Sequence, residues 1–175
     1  MSVFPEWQKY AVHQRRPKTG CIPTCYEIIL RAAGVTGIAY ESFQDDFDLD
    51  QDGGAPRNNF ESVAEEIHRK HPFIEFACDS FAKGDGDKKL ARIEYFIARL
   101  RPVIVSLANA PLGGRGWHIM VVVDATKDTL TLLKYVDQNG MATAMNISKK
   151  DLIHIHNEYP GGDEIAYLAS PSPKT

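Results

Sequence analysis

The sequence predicts a single α+β domain, in which a mainly helical N-terminal part packs against a mainly β C-terminal part. The chain has 175 residues, enough for one full hydrophobic core and too few for two. Apolar residues recur at helical spacing up to Arg101, whereas the apolar segments after Pro102 are short and rich in β-branched residues, as in buried strands. We therefore expect residues 1–101 to be mainly helical, residues 102–170 to be mainly β and residues 171–175 to form a disordered tail.

Composition and charge exclude several classes of function. The net charge is -3 at pH 7, so there is no basic excess to neutralise phosphates and we expect no nucleic-acid partner. No signal segment opens the chain and no apolar run approaches about 20 residues, which predicts a soluble, cytoplasmic protein with no membrane partner. The three cysteines are few, odd in number and not at metal-ligand spacing, which fits a reducing compartment and gives no sign of zinc.

The first predicted helix begins close to a cysteine. Its apolar face starts at Cys25, which we expect to be buried. Two start signals differ by a residue or two, because Pro23 suits the first helical position while Thr24 and Glu27 could form a capping box. Either start leaves Cys21 in the turn just before the helix, where backbone amides and the positive end of the helix dipole favour a thiolate.

Cys21 is the candidate nucleophile, since the flanking Gly20 permits a tight approach and the nearby proline fixes the turn. Gln14 lies seven residues upstream. Its side-chain amide could reach back and help to hold an oxyanion beside the cysteine.

An acidic loop follows this helix. Asp48, Asp50, Asp52 and Gly53 reproduce the opening of a calcium-binding loop, in which alternate carboxylates converge on one cation. The twelfth position is Asn59 instead of the glutamate that closes such a site. We therefore expect a solvated loop and no bound metal, with calcium as a weak candidate. Carboxylates that line the cleft and favour basic substrates are a third possibility.

Two scaffold helices come next. We expect them at residues 60–70 and 88–101, with a short apolar stretch at 73–78 between them and Pro102 as the stop signal. Residues 103–107 then form the first central strand.

A glycine-rich loop leads from this strand to a histidine. Gly113 and Gly114 lie in the loop, which delivers Trp117 and His118 to the head of the next strand. Glycines let a backbone pass close to a ligand, and the indole could shield the imidazole from water. These two glycines and Trp117 are our candidate substrate-binding residues.

The partner of His118 follows from strand register. Residues 117–125 and 129–137 form two strands joined through residues 127–128. With a two-residue turn, the numbers of opposed residues add up to 255, so His118 lies opposite Asp137 with Cβ atoms about 4.5 to 5.5 Å apart. Lys-Asp is not a strong hairpin turn, so a one-residue slip or a longer loop stays open.

The tail predicts smaller elements. Residues 141–147 and 165–169 suit strands. Ser148 with Asp151 could cap a short helix, although the alternation of His and Ile over residues 153–156 would also suit a strand.

Taken together, these motifs resemble the papain-like cysteine peptidases, and most of all the bacteriocin-processing, double-glycine leader peptidase branch of bacteria. The resemblance is carried by Gln14, a short loop, and Gly-Cys-Ile-Pro at residues 20–23 opening a hydrophobic helix. The family order along the chain is glutamine, nucleophilic cysteine, histidine at the start of a hydrophobic strand, and aspartate on the next strand. His118 and Asp137 occupy the last two places.

The resemblance implies a papain-like fold, with the helix that carries Cys21 packed on an antiparallel sheet that carries His118 and Asp137. It also implies a hydrolase that cleaves an amide bond in a peptide or protein without a cofactor. His118 would be the base, Asp137 its orienter, and Gln14 part of the oxyanion site. Three alternatives stay open: a non-peptidase thiol acyl-transfer enzyme (amidase, deamidase or transpeptidase), a catalytically inactive papain-like peptide-binding domain, and a calcium-dependent binding module.

Overall fold

The protein is α+β, as expected: one antiparallel sheet is covered by helices on both faces. The computed structural model describes residues 6–16, 20–47, 59–109, 111, 117–136 and 139–169. The helices in these ranges are α1 (Cys21–Ala32), α2 (Phe60–Lys70), α3 (Gly86–Ile97) and α4 (Lys149–Glu158). The strands are β1 (Phe76–Ser80), β2 (Val103–Ala108), β3 (Trp117–Ala125), β4 (Thr129–Val136), β5 (Ala142–Ser148) and β6 (Glu164–Leu168). Neighbouring strands are antiparallel in the order β1-β6-β2-β3-β4-β5.

Two hydrophobic cores lie on opposite faces of the sheet. Helices α1 and α2 pack with Ile119 and Val121 of β3, whereas α3 and α4 pack with Met120 and Val122. Successive side chains of a strand point to opposite faces, so one apolar strand serves both cores. Burying each such side chain contributes about 1.5 to 3 kcal/mol.

Helix α1 begins at Cys21 itself, which corrects the prediction that this residue lies in the preceding turn. The predicted capping box is also wrong. Thr24 Oγ1 donates to Gly20 O at 2.6 Å, and Glu27 forms an ion pair with Arg31 at 2.8 Å. The first-turn N–H groups have no intrahelical partner in any case, so a proline within this turn costs little.

The scaffold elements agree closely with the sequence. Helix α2 has the predicted bounds, while α3 begins and ends earlier than predicted, before Leu100 adopts a left-handed conformation with φ of 54°. The apolar stretch before α3 forms the edge strand β1, paired with β6. In the tail the helical alternative is confirmed, because Ser148 Oγ accepts a hydrogen bond from Asp151 N at 2.9 Å. Within the described residues no helix is long and apolar enough to cross a bilayer.

The hairpin of β3 and β4 has the predicted two-residue turn at residues 127–128 but not the predicted register throughout. Asp124 pairs with Thr131, as expected. A bulge then shifts the pairing by one residue, so that Val122 lies opposite Leu132 and Val121 opposite Leu133. The predicted pairing of His118 with Asp137 assumed the unshifted register, which does not hold for these residues. The physical reason is the extra residue in β3, which the turn cannot reveal.

Candidate active site

Cys21 occupies the first turn of α1 and is partly buried, while Cys25 is fully buried on the apolar face, as predicted. Burial raises the pKa of the Cys21 thiol, and hydrogen bonds from the backbone N–H groups of Ile22 and Cys21 offset only part of that rise. The prediction that the helix start favours a thiolate is therefore wrong. Loss of water around the sulfur outweighs the backbone amides.

Gln14 is held next to the start of α1. Its Nε2 donates to the carbonyl oxygen of Arg16 at 2.8 Å, and the same oxygen accepts the N–H of Gly20 at 2.8 Å. A Cβ on Gly20 would lie 2.8 Å from that oxygen, so this close approach requires a glycine. The side-chain amide of Gln14 and the N–H of Gly20, the residue before Cys21, thus donate to the same carbonyl oxygen.

His118 lies near the start of β3, directly opposite Leu107 of β2. Leu107 packs in the core that α3 and α4 cover, and opposed residues of an antiparallel pair share a face. The imidazole therefore leaves the sheet on the side away from α1. Burial, and to a smaller extent the charge of Lys134, lowers the pKa of His118.

No hydrogen bond or electrostatic contact joins Cys21 and His118 among the described residues. The raised pKa of the thiol and the lowered pKa of the imidazole both favour the neutral forms near pH 7. The free protein therefore holds a neutral thiol and a neutral imidazole, and not a preformed thiolate-imidazolium pair.

A cavity of about 430 Å³ is lined by chain neighbours of both residues, although neither Cys21 nor His118 itself lines it. Ile22, which follows Cys21, lines the cavity, and so do Trp117 and Ile119, which flank His118. Trp117 was predicted to bind substrate, and it forms part of the wall. The other lining residues come from the ends of α2, β1, β2 and β6: Asn59, Phe60, Ser80, Phe81, Ala82, Ser106, Gly161, Gly162, Asp163 and Glu164.

The cavity has an acidic end, which no motif in the sequence predicted. The pKa of Glu164 is raised by burial and by the negative charges of Glu61 and Asp163, while Lys89 acts in the opposite direction. Glu61, Lys89 and the adjacent pair Asp163 and Glu164 are far apart in the chain, so no local motif identifies them.

Lys89 of α3 contacts the same region from the face of the sheet that α3 covers, and the sequence did not predict its role. Its side chain is fully buried, its Nζ donates to the carbonyl oxygens of Ser106 and Gly162, and burial lowers its pKa to about 7. The helical spacing of Lys89 with Ile93 on α3 could have identified it as an inward-facing residue.

Several predicted site residues lie outside the described part of the chain, and their roles stay predictions. The calcium candidate loses one position that is described, because Asn59 Oδ1 accepts the N–H of Ser62 at 2.8 Å and caps α2. Within the described ranges no three metal-ligating side chains come together. The residues outside these ranges are Asp48, Asp50, Asp52, Gly113, Gly114 and Asp137, together with the tail 171–175.

The candidate site is thus defined by the geometry of this chain alone. Comparison with known proteins finds no family model that matches the chain and no curated protein that matches it.

Proposed function

We propose that this protein is a cysteine peptidase-like hydrolase with a papain-like fold, which cleaves an amide bond of a peptide or protein through Cys21, His118 and Asp137. One observation carries the proposal: the residue after Cys21 and the residues on both sides of His118 line one cavity. The cavity lies on the face of the sheet that α1 covers, because Ile119 packs in the core of that face, so His118 would have to change sides to reach a substrate bound there. The apolar walls suit a peptide side chain.

The mechanism starts from neutral partners. His118 takes the proton of Cys21 as the sulfur attacks the carbonyl carbon, and it then passes that proton to the departing amine. Water releases the resulting thioester. The backbone N–H of Cys21 and the side-chain amide of Gln14 bind the oxyanion, and Asp137 holds the imidazole tautomer.

This mechanism requires the beginning of β3 to move when substrate binds. In the free protein the imidazole and the thiol share no hydrogen bond, and catalytic contacts commonly tighten only in the substrate complex. Because His118 faces away from α1, the first residues of β3 would have to turn over to present the ring to that side of the sheet.

A second candidate is a papain-like domain that binds peptides without cleaving them. The raised pKa of Cys21 and the orientation of His118 away from α1 favour it. Non-peptidase acyl transfer would use the same three residues on a different substrate.

The test is turnover, followed by mass spectrometry, of peptides, glutamine side-chain amides and a glutathione-like thiol peptide. We expect hydrolysis of one class to be lost in Cys21→Ala and in His118→Ala, with both variants melting as the wild type does. Cys78→Ala is the matched control, because Cys78 is a partly buried thiol outside the cavity. Full activity in well-folded Cys21→Ala would refute the assignment, and peptide binding with no turnover by the wild type would establish the second candidate.

A further inference from the structure

Gln44 makes a set of contacts that the proposed reaction does not use. It lies in a short 3-10 turn, Phe43–Asp46, and is 2% exposed. Its Nε2 donates to the carbonyl oxygen of His13 at 2.7 Å, and its Oε1 accepts the N–H of Arg15 at 3.0 Å. These two backbone groups flank Gln14. The side-chain amide of Gln44 therefore bonds to the backbone on both sides of Gln14, as the backbone of a neighbouring strand would.

The same amide also contacts the helix that carries Cys21. Its Nε2 donates to Glu27 Oε2 at 2.8 Å, and its Oε1 lies 2.9 Å from Thr24 Oγ1. Thr24 shares its hydroxyl proton between this oxygen and the carbonyl oxygen of Gly20. One side chain thus ties the Gln14 segment to the first two turns of α1.

All the hydrogen-bonding positions of this amide are in use. A glutamine offers two N–H donors and two acceptor positions, and Gln44 uses all four on the contacts above. Thr24 and Glu27 are buried as well, and Arg31 compensates the charge of Glu27. A buried polar network that is fully satisfied holds its members in one arrangement.

We propose that Gln44 is a positioning residue for the oxyanion site, which it builds by fixing Gln14 relative to the backbone N–H of Cys21. The proposal rests on the proposed function for its catalytic meaning. Oxyanion donors stabilise a developing charge only if they are held in place beforehand. Gln14 lies outside any helix or sheet strand, and Gln44 holds the backbone groups on both sides of it.

Two probes of Cys21 separate this role from general support of the fold. With acetyl-leucyl-glycinal, the sulfur bonds to the aldehyde carbon, the C=O electron pair moves to oxygen, and the thiol proton completes a hemithioacetal. Its oxygen lies where the oxyanion forms. With iodoacetamide, the sulfur bonds to the methylene carbon and displaces iodide, the thiol proton passes to solvent, and no oxyanion forms. Loss of the oxyanion site weakens the first reaction and leaves the second unchanged.

The variant is Gln44→Leu, which keeps the approximate size and removes all four hydrogen bonds. We expect aldehyde binding to weaken at least about tenfold, as in Gln14→Ala, while the iodoacetamide rate changes less than about twofold. Gln14→Ala/Gln44→Leu should bind no more weakly than Gln14→Ala alone. His13→Ala is the matched control, because Gln44 contacts only the backbone of residue 13 and the aldehyde should bind as to the wild type.

If Gln44→Leu does not fold, Gln44→Asn keeps a neutral amide but is one methylene too short to reach His13, Arg15 and α1 together. It should show the same selective loss of aldehyde binding. Wild-type aldehyde affinity in the Gln44 variants beside a loss in Gln14→Ala would overturn the positioning role and leave the proposed function intact. An equal loss with both probes would also overturn it, as would additive effects in the double variant. No aldehyde binding by the wild type would overturn the proposed function and this inference together.

Discussion

The indole of Trp117 lies against the backbone of Gly161, so closely that a methyl group on that residue would overlap the indole Nε1 atom. Trp117 is 64% exposed and forms part of the cavity wall. Gly161 has a φ of 83°, a conformation that other residues adopt only with strain. This contact therefore fixes the position of the indole at the cavity mouth.

Replacing Gly161 with alanine should displace Trp117. Gly140→Ala is the matched control, because its φ of 76° is similar and nothing lies within 4 Å of an added Cβ. We expect each change to lower the free energy of unfolding by about 1 kcal/mol. Only Gly161→Ala should alter the emission maximum and acrylamide quenching of Trp117, measured in a Trp7→Phe background. Identical spectra for the two variants would show that the indole does not depend on this contact.

Cys21 should behave as a poorly acidic thiol. Because burial raises its pKa above the ordinary value of 9.0, the rate of iodoacetamide labelling should reach its midpoint above pH 9. Peptide mass spectrometry separates it from Cys78, whose pKa is raised to about 11 and which serves as an internal reference. A Cys21 midpoint below pH 7 would contradict this and indicate an ion pair with His118.

Lys134 should depress the proton affinity of His118. Its positive charge disfavours a second nearby cation, so Lys134→Gln should raise the imidazole pKa, as measured by NMR titration of the ring protons. The pKa should still lie below 6.5, because burial is the larger cause. Lys127→Gln, in the exposed turn of the same hairpin, should leave the titration unchanged. An equal shift in both variants would assign the effect to net charge.

Stability should rise with pH because of Lys89. Its pKa falls from 10.5 to about 7 on folding, so between these values the unfolded chain binds the proton that the folded protein has lost. The free energy of unfolding then increases with pH across this window, by at most about 1.4 kcal/mol per pH unit. Below pH 7 both states are protonated and the contribution is constant.

Melting temperatures from pH 7 to 9 test this slope. Lys89→Met should flatten it, whereas Lys88→Met should keep it, because Lys88 is an exposed neighbour paired with Asp85. A wild-type slope that survives in Lys89→Met would assign it to another group.

Local signals predicted local structure well. Helix α2 has a side-chain cap at Asn59 and an apolar face at helical spacing, so its bounds followed from its own residues. The two-residue turn at residues 127–128 was one of the alternatives that the sequence allowed, and it is the one that forms. The raised pKa of Cys21 could not be predicted from its neighbours in the sequence, because its burial depends on elements that are distant in the chain.

The cavity shows the same limit. Trp117 was identified from its position before a histidine, but Gly161 and Glu164 reach the site only through the pairing of β6 with β2. The register beyond Val122 depends on a bulge that no turn residue encodes.

The bulge in β3 determines the face of the sheet on which His118 lies. Side chains of a strand alternate between the two faces of the sheet, so one inserted residue reverses the face on which each later side chain lies. Without Val123, one half of β3 would have to turn over to keep its pairing. Both faces of this half are apolar apart from His118. The histidine is the residue for which the change of side would matter.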